Sequence, residues 1–179
     1  MAVACLLVLV GCSSLSGTGD KGYITGEGVP VEVSPSAREA AVSLSGVDLE
    51  GEEVDLADLR GKPVVVNVWW SECPPCRVEQ PDLNEAAAEL GDDVAFLGLN
   101  IRDSSAEKAQ AFVRNNDVPY GSVYSPDGRA LLAFAGTLNP RSIPSTVVLD
   151  ADGRVAASVQ GRIPTTQTLV SLVEKVLDE

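Results

Sequence analysis

The sequence predicts an α/β fold, a sandwich in which helices flank a central mixed β-sheet and a β-hairpin stands on the N-terminal side. Apolar runs of strand length alternate with amphipathic runs of helix length from about residue 41 to residue 179. Glycine, proline and aspartate separate these runs, as turn residues do. A length of 179 residues and a hydrophobic content of 45% suit one globular domain with appendages.

The first elements of the domain are predicted to be the two strands of the hairpin. Apolar and polar residues alternate over Val42–Leu49 and again over Val54–Leu56, and a Glu-Gly-Glu turn separates the two stretches. A single helical turn is predicted over Leu56–Leu59, because a glycine and a proline follow it closely.

Four apolar runs have the length and the valine-rich composition of buried strands. They are Val64–Trp69, Val94–Asn100, Thr146–Asp150 and Val155–Val159. An Ala-Asp-Gly turn joins the last two, so these strands are expected to follow one another directly.

Four further segments have the apolar spacing of helices. They are Pro74–Leu90, Ala106–Asn115, the shorter Arg129–Phe134 and the C-terminal Thr165–Leu177. The first should end at Gly91 and bury an apolar face. That predicted face consists of Val78, Leu83, Ala86, Ala87 and Leu90. In the last helix, the residues that share one side are Leu169, Leu172, Val173 and Val176.

Residues 1–12 form an apolar run that is too short to span a bilayer and fits a signal peptide. Its end, Leu9–Cys12, resembles a bacterial lipobox, so Cys12 is the expected lipidation site and lipid anchor. No Lys or Arg precedes the run, and a buried N-terminal strand is the alternative. Residues 13–40, rich in Ser, Gly, Thr and Pro, are expected to form a flexible tether with a short strand at Val29–Val33. The domain then covers residues 41–179.

The charge balance excludes one class of partner. The net charge is −13, whereas binding to nucleic acid requires clustered Lys and Arg. An acidic surface of this kind keeps a protein soluble. The sequence contains no histidine, which removes the commonest metal ligand and the usual general base.

The cysteines single out one chemical site. Cys5 would leave with the signal peptide and Cys12 would carry lipid, so Cys73 and Cys76 remain in the folded part. They form a Cys-Pro-Pro-Cys pair directly after a predicted strand and at the start of a predicted helix. This arrangement is typical of reversible thiol–disulfide chemistry.

The helix start explains how the pair would react. Cys73 is expected at the N-cap, with Pro74 and Pro75 at the first two helical positions, so its sulfur can accept the Cys76 amide. The positive end of the helix favours a thiolate there. Cys73 is therefore the predicted nucleophile. Cys76, one turn further and expected to be more buried, would resolve the mixed disulfide.

Neighbouring residues should modulate the Cys73 thiolate. Glu72 places a carboxylate beside it and disfavours the charge, whereas Arg77, four residues on, favours it. The two prolines remove two amide donors from the helix start. We therefore expect Cys73 to be less acidic than in strongly oxidising proteins of this class.

A zinc site and a permanent structural disulfide are the alternatives for the pair. A zinc site needs four ligands, and the sequence offers neither a second Cys-x-x-Cys motif nor a histidine. A permanent structural disulfide is the stronger alternative, although so small a ring gains little loop-closure entropy.

The stretch Asn67–Pro81, together with the distant Ile-Pro-Ser-Thr of 143–146, resembles the thioredoxin fold and, more narrowly, the TlpA/ResA-like extracytoplasmic thiol–disulfide oxidoreductases. The resemblance covers about residues 41–179. It implies a cis-proline loop in which Pro144 lies against the disulfide and its preceding backbone offers hydrogen bonds to a substrate. It also implies that Glu79 tunes proton transfer, with a solvated helix residue as the alternative.

Other residues near the pair receive roles from the same resemblance. Asn67 stands where thioredoxin keeps a buried aspartate, and Pro81 should kink the helix as in thioredoxins. Glu72 replaces the tryptophan that the family usually has before the first cysteine, which removes an apolar lip. The residues expected to contact a substrate are Trp70, Glu72, Pro74, Pro75 and Ile143, while Trp69 or Trp70 is expected in the core.

The sequence thus predicts a thiol–disulfide oxidoreductase that exchanges disulfides with extracytoplasmic proteins and needs no cofactor beyond its own redox-active disulfide. The resemblance favours a reductase whose targets include apocytochrome c. A membrane-bound electron donor would supply this reductase with electrons. The predicted location is the outer face of a bacterial cell membrane. The alternatives are an oxidase for the folding of secreted proteins, a peroxiredoxin-like peroxidase and a non-catalytic binding lipoprotein. The Pro-x-x-x-Thr-x-x-Cys context of peroxiredoxins does not precede Cys73.

Overall fold

A computed structural model of the protein describes residues 28–179. The expected signal peptide, the lipidation site Cys12 and residues 13–27 of the expected tether lie outside the described residues and stay predictions. Within residues 28–179, no helix has the length and apolar character that crossing a membrane requires.

A six-stranded mixed sheet forms the centre of the domain, as predicted. Its strands are β1 (Pro30–Glu32), β4 (Val64–Trp69), β5 (Ala95–Ile101), β6 (Ser122–Ser125), β7 (Ser145–Leu149) and β8 (Val155–Gln160). They lie in the order β1-β8-β7-β4-β5-β6. The strands β4, β5 and β6 run parallel to one another. The strand β7 is antiparallel to β4, β8 is antiparallel to β7, and β1 is antiparallel to β8. The fold is therefore thioredoxin-like.

The predicted hairpin is confirmed as a separate two-stranded sheet. It pairs β2 (Ser45–Val47) with β3 (Glu53–Asp55). A 3-10 helix over Leu56–Leu59 follows, and the Asp55 side chain caps it by accepting the Ala57 N–H. The local turn signals of the sequence were thus sufficient to locate this unit.

Helices α1 (Pro74–Leu90), α2 (Ala106–Asn115) and α3 (Thr166–Leu177) cover the sheet. Alternate residues of β4 point to opposite faces. Val65 packs with α1 and α3, whereas Val64, Val66 and Val68 pack with α2 and the hairpin side. Both faces of the central strands are consequently buried, which explains their unbroken apolar runs.

One face of α1 differs from the prediction. Val78 is 60% exposed, whereas Glu79 and Gln80 are buried. Glu79 accepts hydrogen bonds from Asn67 of β4 and from the Ile163 N–H after β8, and Gln80 donates to the Tyr120 hydroxyl, so distant residues set which side of the helix start is buried. Further along, Leu83, Ala86 and Leu90 are buried as predicted.

Two segments depart from the predicted organisation. The strand β6 was not predicted, because its four residues Ser-Val-Tyr-Ser carry little apolar signal and it stands at one end of the strand order. The predicted strand near Val29–Val33 is confirmed as β1, but the predicted tether is wrong for its described part. Val31 pairs with Ser158 in β8, and the Arg38 side chain is buried against Asp150. The packed domain therefore begins at β1 rather than near residue 41.

The strand directions bring several loops to one edge of the sheet. The strands β4, β5, β6 and β8 end there, and β7 begins there, with Ser145 opposite both Val68 and Gln160. We call this the disulfide edge and define it by its loops and adjoining first helical turns. They are residues 70–77, 102–109, 126–129, 139–144 and 161–165.

Candidate active site

The two cysteines form a disulfide at the start of α1. The S–S distance is 2.05 Å and the Cα atoms are 5.3 Å apart. Cys73 is the N-cap residue, and the Cys76 N–H donates to Cys73 Sγ at 3.2 Å, as predicted. Because Pro74 and Pro75 have no N–H, the Cys76 amide is the first donor that the helix can offer this sulfur.

Both cysteines are buried. Cys73 is 0% exposed and Cys76 is 2% exposed, so the expectation that Cys76 is the more buried of the two is wrong. They belong to one apolar cluster with Ile143, Leu138 and Phe134, which come from a segment distant in sequence. In this oxidised state, an incoming sulfur can reach Cys73 only after covering side chains move.

The two tryptophans before the pair occupy different environments. Trp69 is 2% exposed, its ring lies 4.6 Å from that of Phe112, and its Nε1 donates to Ser122 Oγ at 3.3 Å. Trp70 is half-buried. The predicted core role therefore holds for Trp69, and Trp70 is the tryptophan that keeps surface near the disulfide.

A buried carboxylate fixes the segment that leads into Cys73. Asp103, 2% exposed, accepts the Ser71 N–H at 2.9 Å and the Asn100 Nδ2 at 2.7 Å. It also accepts the Ser71 hydroxyl. Sequence reasoning missed this residue. The available signal was its position directly after the second parallel strand, which ends at the same edge as β4.

Charged neighbours of the pair are engaged with other groups. The Arg77 guanidinium donates to the Ser71 carbonyl through Nε at 2.9 Å and Nη2 at 2.7 Å. Glu72 forms an exposed ion pair with Lys108 of α2, with 3.3 Å between Nζ and Oε1. Lys108 was not anticipated, and it offsets part of the charge that Glu72 brings to Cys73.

The loop before β7 lies at the same edge of the sheet as the disulfide. The peptide bond between Ile143 and Pro144 is cis, as the family resemblance implied. The Pro144 carbonyl accepts the Gly161 N–H at 3.0 Å, and Ser145 Oγ donates to the Ser142 carbonyl at 2.6 Å. These bonds hold the loop beside the ends of β4 and β8.

Glu79 lies at the centre of a buried polar network. Its side chain points from α1 into the interior of the domain, and the residue is 0% exposed. Oε1 accepts the Asn67 Nδ2 at 2.9 Å, and Oε2 accepts the Ile163 N–H at 2.9 Å. Asn67 Nδ2 also donates to Thr146 Oγ1 at 3.1 Å. The alternative of a solvated Glu79 is therefore wrong.

The network leaves Glu79 able to hold a proton near neutral pH. Burial raises the pKa of Glu79 to about 8, although the hydrogen bonds from Ile163 and Asn67 and the charge of Arg162 pull the other way. A half-turn of the Asn67 amide would present its oxygen to the protonated carboxyl. Both protonation states can thus find partners in the site.

Three of the five residues expected to contact a substrate keep accessible surface. Glu72 and Pro74 are exposed and Trp70 is half-buried, whereas Pro75 and Ile143 are buried. The buried pair can contact a partner side chain only after the oxidised site rearranges. The substrate-contact roles of all five residues stay predictions.

The chain is similar to known proteins in both sequence and structure. The model of the Redoxin family matches residues 31–177. The thiol-disulfide oxidoreductase ResA of Bacillus thuringiensis is 26% identical over 96% of this chain and 93% of its own length.

Two solved structures have the same fold. A DsbF homologue from Corynebacterium diphtheriae is 32% identical with a TM-score of 0.76, covering 92% of this chain and 99% of that protein. A secreted thiol-disulfide isomerase from Corynebacterium glutamicum is 30% identical with a TM-score of 0.78, covering 84% of this chain and 92% of that protein.

Proposed function

The chain belongs to the Redoxin family and is a thiol–disulfide oxidoreductase of the ResA and DsbE type, and on that premise we propose that it reduces disulfides in other extracytoplasmic proteins. The observation that carries the proposal is the Cys73–Cys76 disulfide at the N-terminus of α1, next to a buried, titratable Glu79. A permanent structural disulfide exchanges no protons and therefore does not require a neighbouring titratable group. A redox pair does, because its thiols gain and lose protons in each cycle.

The reaction follows from the positions of the two sulfurs. In the reduced protein the Cys73 thiolate attacks one sulfur of the substrate disulfide, forms a mixed disulfide and releases the first substrate thiolate. The Cys76 thiolate then attacks Cys73 Sγ, re-forms the Cys73–Cys76 bond and releases the second. Two electrons pass to the substrate. The proton of the Cys76 thiol passes to a base, and Glu79, one helical turn away, is the base that we assign.

Three features support the reducing direction. Pro74 and Pro75 withhold two amide donors from the helix start, and Glu72 adds a negative charge beside Cys73. Glu79 adds a third unfavourable influence when it is ionised. Each of them disfavours the thiolate, and a poorly stabilised dithiol form makes a disulfide harder to reduce and its dithiol a stronger reductant.

The point where the chain enters the domain supports a membrane-bound electron donor. Gly28 lies at the disulfide edge, because its N–H donates to the Arg162 carbonyl at 2.7 Å. A lipid on Cys12 would be joined to this edge by residues 13–27, which reach at most about 50 Å. The disulfide would then remain within reach of a partner in the same membrane. A Cys12→Ser protein that stays in the membrane fraction would contradict this anchor.

The proposed reaction can be tested with a Cys76→Ser variant. Reduced Cys76→Ser should accumulate a mixed disulfide with a peptide that carries an intramolecular disulfide, since the resolving thiol is absent. Cys73→Ser, the matched control, should form none. Mass spectrometry of the adduct, with a Cys-x-x-Cys-His peptide included to represent apocytochrome c, measures the outcome. The proposal fails if both variants remain unmodified or if the wild-type dithiol leaves the peptide disulfides intact.

A further inference from the structure

The disulfide edge has a charge opposite to that of the rest of the domain. Its loops hold six basic and four acidic side chains, whereas the other described residues hold six basic and twenty acidic ones. The basic residues of the edge are Arg77, Arg102, Lys108, Arg129, Arg141 and Arg162. The acidic ones are Glu72, Asp103, Glu107 and Asp127. A protein of net charge −13 therefore concentrates half of its described cations around one site.

The cations lie on different sides of the disulfide. Arg77 is held one turn into α1 through the Ser71 carbonyl, and Lys108 lies across from Glu72. Arg102 donates to the Pro140 carbonyl at 3.0 Å, on the loop that leads to the cis-proline. Arg77 and Lys108 therefore contact the segment before Cys73, and Arg102 contacts the loop that leads to the cis-proline.

Two further arginines border the cis-proline loop. Arg141 is exposed and precedes Ile143 by two residues. Arg162 directly follows Gly161, whose N–H donates to the Pro144 carbonyl. The charge of Arg162 also acts on Glu79, where it opposes the burial-driven rise in pKa. The positive charge of the edge therefore acts on Glu79 within the reactive site.

The acidic residues of the edge do not reverse its sign. Asp103 is buried under the Ser71 segment, and Asp127 lies beside Arg129, with 3.2 Å between Oδ2 and Nε. Glu72 is paired with Lys108, and Glu107 is exposed, so three acidic side chains of the edge reach the surface against six basic ones. A partner that approaches the disulfide consequently meets a surface with more positive than negative charge, while the remaining surface repels anions.

From this distribution we infer that the edge docks an acidic segment of the partner protein, next to the partner's own cysteines. The inference rests on the proposed exchange reaction at that edge and adds the class of partner. Complementary charge accelerates encounter and selects orientation more than it adds affinity. An acidic partner is repelled by the acidic body of the domain and attracted at one edge, which aligns its disulfide with Cys73.

The inference can be tested with three synthetic peptides that share one intramolecular disulfide and differ in their flanks. The flanks are Asp/Glu-rich, Ser-rich or Lys-rich. The reduced full-length protein reduces each peptide, and the second-order rate constant is measured in low salt and in 0.5 M NaCl. We expect the acidic peptide to react at least about threefold faster than the serine peptide and the lysine peptide to react slowest. Salt should shrink the differences, because it screens exposed charges.

A pair of charge-reversal variants localises the effect. Arg141→Glu at the edge should remove most of the preference for the acidic peptide. Arg114→Glu makes the same charge change at the exposed last turn of α2, away from the edge, and should preserve the preference. Equal rates for the three peptides, or equal responses of the two variants, would overturn the inference while leaving the exchange function standing. A protein that reduces none of the three peptides would contradict both the inference and the exchange function.

Discussion

Two buried carboxylates at opposite edges of the same sheet differ in what surrounds them. Glu79, at the disulfide edge, accepts hydrogen bonds from the neutral Asn67 amide and Ile163 N–H. Asp150, directly after β7, lies against two guanidinium groups, 3.0 Å from Arg38 Nη1 and 2.9 Å from Arg154 Nε. Burial raises the pKa of Glu79 to about 8. Burial acts in the same direction on Asp150, but the Arg154 amide and the two arginines outweigh it and hold its pKa below the ordinary value.

The difference shows what distinguishes a buried carboxyl group that can exchange a proton from one that holds parts of the fold together. Neutral donors satisfy the carboxylate without fixing its charge, so Glu79 can exchange a proton near neutral pH. Cations fix the charge of Asp150, which ties Arg38 of the N-terminal segment to the β7–β8 turn. Arg38 also pairs with Glu179, so the same cluster holds the C-terminus.

The largest expected effect is a loss of stability between about pH 5 and pH 8. The pKa of Glu79 is raised on folding from 4.5 to about 8, so the free energy of unfolding should fall as the pH rises from about 5 to 8. At about 1.4 kcal/mol per pKa unit, the loss reaches at most about 5 kcal/mol. Urea unfolding of wild type and Glu79→Gln at several pH values measures it. A variant that keeps the wild-type slope over this range would remove Glu79 from the titration.

The next effect is the stability contribution of Asp150. Asp150→Asn leaves two guanidinium groups facing a neutral amide and should lower the free energy of unfolding at pH 7 by about 2–4 kcal/mol. Because the pKa of Asp150 is lowered on folding, this gap should close as the pH falls through the folded value. Asp152→Asn is the matched control. Asp152 pairs with Arg154 but is 75% exposed, so its loss should cost less than about 1 kcal/mol.

A smaller effect is expected on the exchange rate. Glu79→Gln should slow the release of the mixed disulfide by about tenfold near pH 7, since the thiol of Cys76 loses its proton acceptor. Asp150→Asn should leave this rate unchanged. Single-turnover reduction of a model peptide disulfide between pH 6 and pH 9 separates the two variants. An equal slowing in both would mean that the effect of Glu79 is structural.

The smallest effect is expected at the exposed Glu72–Lys108 pair. Lys108→Ala should change the free energy of unfolding by less than about 0.5 kcal/mol, because both side chains are more than half exposed. It should also lower the reduction potential of the disulfide by only a few millivolts, since Glu72 then loses its partner beside Cys73. A rise in potential on this substitution would contradict the assigned sign.

Much of the fold could be predicted because its signals are local. The bounds of β4, α1 and α2 agree with the sequence prediction to the residue. A valine run between breakers marks β4, a Cys-Pro-Pro N-terminus and Gly91 mark the ends of α1, and apolar spacing marks α2. The Cys76 amide bond to Cys73 followed from the same helix-start geometry.

The remaining features depend on contacts between distant segments. Val78 faces outward and Glu79 faces inward because the Ile163 N–H donates a hydrogen bond to the Glu79 carboxylate on that side of α1. Cys73 is buried in an apolar cluster to which a distant segment contributes Phe134, Leu138 and Ile143. The strand β6 exists because β5 offers it a free edge, although its own four residues are weakly apolar. None of these signals is present in the local sequence.

A reductase requires that the Cys73–Cys76 disulfide opens and closes in the folded protein and that its dithiol is a reductant. Equilibration of the protein with thiol–disulfide buffers of known potential, followed by alkylation of free thiols and mass spectrometry, measures this directly. We expect a reversible two-electron transition below about −200 mV, nearer to the roughly −270 mV of thioredoxin than to the roughly −120 mV of DsbA. A disulfide that stays closed throughout the range, or a midpoint close to that of DsbA, would contradict it.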